Sequence, residues 1–241
     1  MKTTRVLPAA IAIFLLFVPT AFAHHLWIGQ AGDNNDTWAV IRGIIPDRID
    51  PYDPDRIREI LAVGVDGRPV DIERMESDDI VKFRAENELS MAAAWSAWGY
   101  RVNTTRGKRL IGRAEAEDEG LRILSAFHST HYAKSLFSWT DAAGEPAGLR
   151  FEIIPRQNPM EAGPGSEIRF KVLFDGKPLA GTPLYTKNGE EATTNDDGVA
   201  AVTIPDGPTA LLYARHRIDV EGDEKKDYDI FTTFLTFEVY R

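Results

Sequence analysis

Between residues 166 and 174 polar and apolar side chains alternate, Ser-Glu-Ile-Arg-Phe-Lys-Val-Leu-Phe, and a turn sequence, Asp175-Gly176-Lys177-Pro178, follows at once. Period two puts Ile168, Phe170 and Val172 on one face of an extended strand, and Glu167, Arg169 and Lys171 on the other. A helix would scatter these residues around its circumference, so the segment is readable only as a half-buried strand. Similar runs recur at 149–154, 182–186, 199–204, 210–214 and 231–240, parted by Asp196-Asp197-Gly198 and Pro205-Asp206-Gly207-Pro208. Short strands at this spacing, with Gly, Pro and Asp in the turns, predict an antiparallel β-sandwich.

The first half is less regular. Residues 37–43, 59–65 and 80–85 are apolar or β-branched runs that read as strands, and Asp66-Gly67-Arg68-Pro69 reads as a hairpin turn. Residues 91–98 fit a strand or a short helix equally well. Residues 114–119 are acidic and solvated or helical, and the small, polar stretch 141–148 reads as a linker. The expected class is mainly β, with two β-sandwich-like domains at 24–148 and 149–241.

Residues 1–23 carry Lys2 and Arg5, an apolar run from Val6 to Val18, and small residues at Ala21 and Ala23. This is the pattern of a cleavable secretion signal, too short to span a bilayer as a stable helix. Cleavage after Ala23 makes His24 the new amino terminus, with His25 next. A free α-amine, two imidazoles and a deprotonatable amide then lie within one short segment, a donor set suited to copper(II) or nickel(II). The His24 amine can close a chelate ring with its own imidazole, as in a copper-holding brace. It can also act with the amide and ring of His25, leaving one position for a distant histidine. If Ala23 stays attached, His25 occupies the third position instead. The competing reading has both rings capping the first strand beside Trp27.

The chain has no cysteine, so disulfides, thiolate metal sites and cysteine nucleophiles are excluded. Its net charge of −9 becomes −11 once Lys2 and Arg5 are removed, which argues against nucleic acid as a partner. No second long apolar segment anchors the mature chain in a membrane. Phosphate-loop, dinucleotide and Gly-x-Ser-x-Gly fingerprints are missing, and 47–58 lacks the glycine and terminal glutamate of a calcium loop.

Only five histidines occur: His24, His25, His128, His131 and His216. His128 and His131 can grip one ion only if their segment is helical or irregular, because positions three apart on a strand face opposite ways. His216 follows an apolar run and reads as an interior histidine. Asp33, Asp36, Asp53 and Asp55 are possible oxygen ligands whose surroundings favour turns. Tyr132 and Lys134 form a weak acid–base pair, and Trp95 and Trp98 read as a sugar platform or, more ordinarily, as core.

Several stretches together resemble an exported bacterial family catalogued as a domain of unknown function. They are His24-His25-Leu26-Trp27, residues 129–136 with Tyr132-Ala133-Lys134-Ser135-Leu136, residues 149–155 through Asn158-Pro159, and residues 172–181. The Asp196-Asp197-Gly198 turn and Leu235-Thr236-Phe237-Glu238 fit as well. Members of that family are commonly described as periplasmic components of nickel or cobalt uptake systems. The resemblance implies an immunoglobulin- or transthyretin-like second half. It also implies a periplasmic carrier that hands nickel or cobalt to a membrane metal-uptake transporter, with no catalytic residues. The expected ligands are His24, His25 and one of His131 or His128. Two rival classes are a histidine-brace copper oxygenase and a structural or adhesive β-sandwich module.

Overall fold

A computed structural model of the chain describes residues 24–32, 36–76 and 78–239. The expected signal peptide, 1–23, and Asp33 lie outside the described residues. The protein is mainly β, with one short helix, α1 (Arg113–Asp118). A five-stranded sheet contains β1 (His25–Gln30), β2 (Thr37–Ile44), β3 (Arg48–Ile49), β5 (Ile72–Glu76) and β6 (Val81–Ala85). An eight-stranded sheet contains β4 (Ile57–Gly64), β7 (Leu89–Thr104), β8 (Gly107–Arg109), β9 (Ile123–Leu136), β13 (Pro183–Thr186), β14 (Gly189–Thr193), β16 (Thr209–Asp219) and β17 (Tyr228–Glu238). A four-stranded sheet is built from β10 (Phe151–Pro155), β11 (Glu167–Phe174), β12 (Lys177–Pro178) and β15 (Val199–Thr203).

The eight-stranded sheet is the middle of three layers. Its order is β14-β13-β16-β17-β9-β7-β4, with β8 added to β7. Along β7, Met91 and Ala93 join the core shared with the four-stranded sheet, whereas Ala92 and Ala94 join the core shared with the five-stranded sheet. In β17, Leu235 and Phe237 serve the first core and Phe234 the second. Strands buried on both faces read as continuous apolar runs, which is why 91–98 shows no alternation although it is a strand.

The position expected to divide the chain, 148/149, lies between strands of the same sheet. From the second half, β17 runs parallel to β9 of the first, with Phe231 beside Thr130 and Phe234 beside Ala133. The layers are also pinned directly: Ile28 N–H donates to Ser135 Oγ at 2.8 Å, and Ser135 bonds the Thr236 hydroxyl at 2.6 Å. The Asp66–Pro69 segment does turn tightly, Gly67 N–H donating to the Gly64 carbonyl at 2.9 Å. Across it the chain folds back antiparallel on the end of β4, with Val63 bridging Pro69 and Val70 N–H donating to the Ala62 carbonyl at 3.0 Å, before β5 pairs with β6 in the other sheet.

Candidate functional site

The site is assembled at the edge where the five-stranded sheet ends over the middle one. His25, first residue of β1, faces Gly43 on β2, which faces Ile49 on β3. A Cβ at Gly43 would lie 1.9 Å from the Arg48 carbonyl oxygen, so only glycine permits this close fold-back. It returns Arg48 and Asp50 to the head of β1. There His24 Nε2 lies 3.1 Å from Asp50 Oδ2 and 3.2 Å from Arg48 Nη2, while Arg48 Nε reaches Asp50 Oδ1 at 2.8 Å. The next ring turns inward. His25 is 8 % exposed, its Nδ1 accepts the Ile45 N–H at 3.5 Å, and it packs against Tyr213 and Phe234 at centroid distances of 6.1 and 6.0 Å.

The middle sheet supplies the floor. Strand register places Ala94, Ala133, Phe234 and Tyr213 in one row across four strands, and Ser96, His131, Thr232 and Arg215 in the next row on the same face. The first row lies at the covered core; the second carries polar groups. The His131 ring contacts Phe234 at 5.5 Å and Trp98 at 5.7 Å, and its Nε2 is 3.4 Å from Ser129 Oγ. Phe234 is thus the common neighbour of His25 and His131, residues separated by more than a hundred positions. Trp98 owes its place to a bulge: Ala97 pairs with Thr130 and Gly99 with Ser129, leaving Trp98 as the extra residue. Gly99 has φ of +77°, a conformation suited to glycine at such a bulge.

The electrostatics are one-sided. Burial, followed by the charges of Arg101, Arg215, Arg42 and Lys108, holds the His131 imidazole well below its ordinary pKa. Burial, then His24 and Arg215, lowers His25 to about 4. His24 is also lowered, by burial and Arg42, against an opposing contribution from Asp50. All three rings therefore favour the neutral form that a metal requires. Among the described residues no three His, Asp or Glu side chains stand close enough together to hold an ion.

The other expected residues lie apart. Because β9 is a regular strand, His128 points to the face opposite His131; it packs on Tyr100 and lies 4.0 Å from Asp229. Of the two distal candidates, His131 alone shares a neighbour with His25. His216 packs on Phe174 at 4.6 Å, beside the four-stranded sheet. Asp36 pairs with Arg84, and Asp53 caps the 3-10 turn at Pro54–Arg56, where its carboxylate accepts the N–H of Asp55. Lys134 is buried and pairs with Glu152 at 3.0 Å, and Tyr132 belongs to the core. Neither sits in an open site. A cleft of about 370 Å³ lined by Trp27, Gln30, Trp38, Phe137 and Glu238 opens at the far end of β1, away from the histidines.

Asp50 and the four cations were not singled out from sequence as parts of a site, and Trp98 was read only as a sugar platform or core. Arg42 gave a faint signal as the one charge in the run 37–43. Arg101, Lys108 and Arg215 come from β7, β8 and β16, and Asp50 follows β3, so they converge only through the fold.

A family model described as "Domain of unknown function (DUF4198)" matches residues 21–218. No curated protein and no solved structure matches the chain.

Proposed function

The chain belongs to the DUF4198 family, and we propose that its processed form binds a divalent transition metal, nickel or cobalt, at His24 and His25 with His131 as the distal ligand. The observation that carries this reading is the Asp50 contact. With Nε2 of His24 engaged by Asp50 at 3.1 Å, Nδ1 is the nitrogen left for an ion, and Nδ1 is the one that closes a chelate ring with the same residue's α-amine. A carboxylate behind a ligating imidazole also fixes its ring and raises its basicity. The neutral rings of His25 and His131 support the same conclusion.

In this reading the metal is cargo. The protein captures it after export and delivers it in the periplasm to a membrane uptake system, with no reaction of its own. Among the described residues no helix is long and apolar enough to cross a membrane. Copper is the strongest competitor at any such nitrogen site. The availability of Nδ1 also favours a second reading, a copper-holding brace with oxygenase activity. Copper-dependent turnover of peroxide or oxygen by the processed protein would establish it over the carrier.

The test is calorimetry with nickel on protein beginning at His24 with a free α-amine and on the same protein acetylated at that amine. Acetylation should weaken binding at least about tenfold, in the range seen when a ligand or its support is lost. His131→Ala should weaken it too, and His216→Ala should not. Equal affinity for the two amino termini would overturn the proposal.

A further inference from the structure

The face of the middle sheet around His131 is strongly cationic in a protein whose net charge is −9. Arg42 from β2, Arg101 from β7, Lys108 from β8 and Arg215 from β16 all act electrostatically on His131. Among the described residues none of the four is in an ion pair. Their contacts are rings and one carbonyl. Arg42 lies 5.0 Å above Trp98, Arg215 lies 5.6 Å above Tyr213, and Lys108 lies 5.2 Å above Phe127. Arg101 donates to the Trp98 carbonyl at 3.5 Å. Asp50, the carboxylate whose charge reaches Arg42, already serves Arg48 and His24.

The same face shows that this is not how the fold ordinarily treats a cation. Arg217, two positions along β16, stacks on Tyr228 at 3.8 Å and also bonds Asp219 at 2.7 Å. A second, independent sign is the indole N–H of Trp98. Trp98 is 8 % exposed, lies beneath the Arg42 guanidinium, and its Nε1 is buried with no acceptor. Buried donors are nearly always satisfied, so an orphan beside unpaired cations marks a place where an acceptor belongs.

We propose that this cationic face binds a small multivalent oxyanion, such as a tricarboxylate or a phosphate, held by Arg42, Arg101 and Arg215 with Trp98 and Lys108 as further donors. Planar guanidinium groups suit paired anionic oxygens, and their stacking on rings holds them ready at little entropic cost. The anion restores the charge balance that the surrounding side chains lack. This inference stands apart from metal binding, since it concerns other residues and is read without metal.

The experiment is calorimetry on chelator-treated protein beginning at His24, at low ionic strength, with citrate, inorganic phosphate and sulfate as separate probes. Binding by citrate or phosphate with Kd below about 1 mM is expected, and the stronger of the two identifies the source. Arg101→Met and Arg215→Met should each weaken it about tenfold, as the loss of one charge-assisted contact does. Arg217→Met should leave it unchanged. Arg215 is exposed, so its variant folds even if Arg42→Met does not. The proposal is overturned if no probe binds, if Arg217→Met weakens binding as much as Arg215→Met, or if the anion binds only when nickel is added.

Discussion

Three residues apart on β9, Lys134 and His131 face opposite sides of the middle sheet and meet opposite surroundings. On the side of the four-stranded sheet, the Lys134 ammonium is almost fully buried and satisfied by Glu152 at 3.0 Å and the Glu145 carbonyl at 2.7 Å. Glu152 in turn accepts the Ala147 N–H at 2.7 Å. On the side of the five-stranded sheet, His131 has four cations acting on it and no carboxylate opposing them. The first face is closed around this pair, with Lys134 and the Ala147 N–H both meeting Oε1 of Glu152, while its Oε2 is buried with no hydrogen-bond partner. The second is open in a narrower sense: Arg42, Arg101, Lys108 and Arg215 have no carboxylate partner among the described residues, whereas Arg217 on the same face bonds Asp219. Charge pairing therefore differs between the two faces of one sheet.

Breaking the closed face should have the largest effect. Lys134→Met leaves the Glu152 carboxylate buried without its cation, and the expected loss is about 3–5 kcal/mol in denaturant unfolding. Replacing both residues with apolar ones should recover much of that loss. If the single substitution cost less than the double, the pair would not be the lock described here.

Acid tests the open face. His25 titrates at about 4 in the folded chain, against about 6.5 for an unperturbed histidine. Between those values the unfolded chain takes up a proton that the folded chain refuses, so stability is full above pH 6.5 and declines towards pH 4. The decline from this ring is roughly 3 kcal/mol, measured by urea unfolding with chelator present. His25→Phe should flatten that slope, and an unchanged slope would show that the ring is not the source.

Smaller still is Gly43→Ala. The added methyl must displace the Arg48 carbonyl and the β2–β3 turn with it. A loss of about 1–3 kcal/mol is expected, together with weaker nickel binding, because Asp50 no longer meets His24. Unaltered nickel affinity would break the link between the turn and the ligand. Arg101→Met should change stability least, within about 0.5 kcal/mol, since removing a half-buried, unpaired cation also removes its repulsion from Arg42. A large loss in thermal melting would mean that this charge supports the fold after all.

Much of the second half was legible in the sequence, because β11 and its neighbours each show one face to the core and the other to water. The middle sheet was harder. Residues 91–98 gave no period since Met91 and Ala92 enter different cores; the Asp66–Pro69 turn was legible, since Pro69 does bridge back to Val63, but nothing local reveals that the chain then changes sheets. For the site, His24 and His25 were visible as neighbours in the chain. His131 was one of two candidates, and the regularity of β9 separates them. Arg42, Arg101, Lys108 and Arg215 come from four strands, and no local pattern announces that register will gather them.

The parallel pairing of β17 with β9 bears on the order of events in the life of the molecule. Phe127 must find Tyr228, and His131 must find Thr232, across a hundred residues of intervening chain. Pairings of such long range are slow to form, because the loop must close before its contacts can reward closure. Until the last strand slides between β9 and β16, Phe234 is missing from between the histidines and Arg215 has no fixed place. A chain stopped short of Tyr228 would have most of its strands without the Phe234 ring that His25 and His131 both pack against. The first described strand and the last are thus two ends of one clasp, which closes only when both are in place.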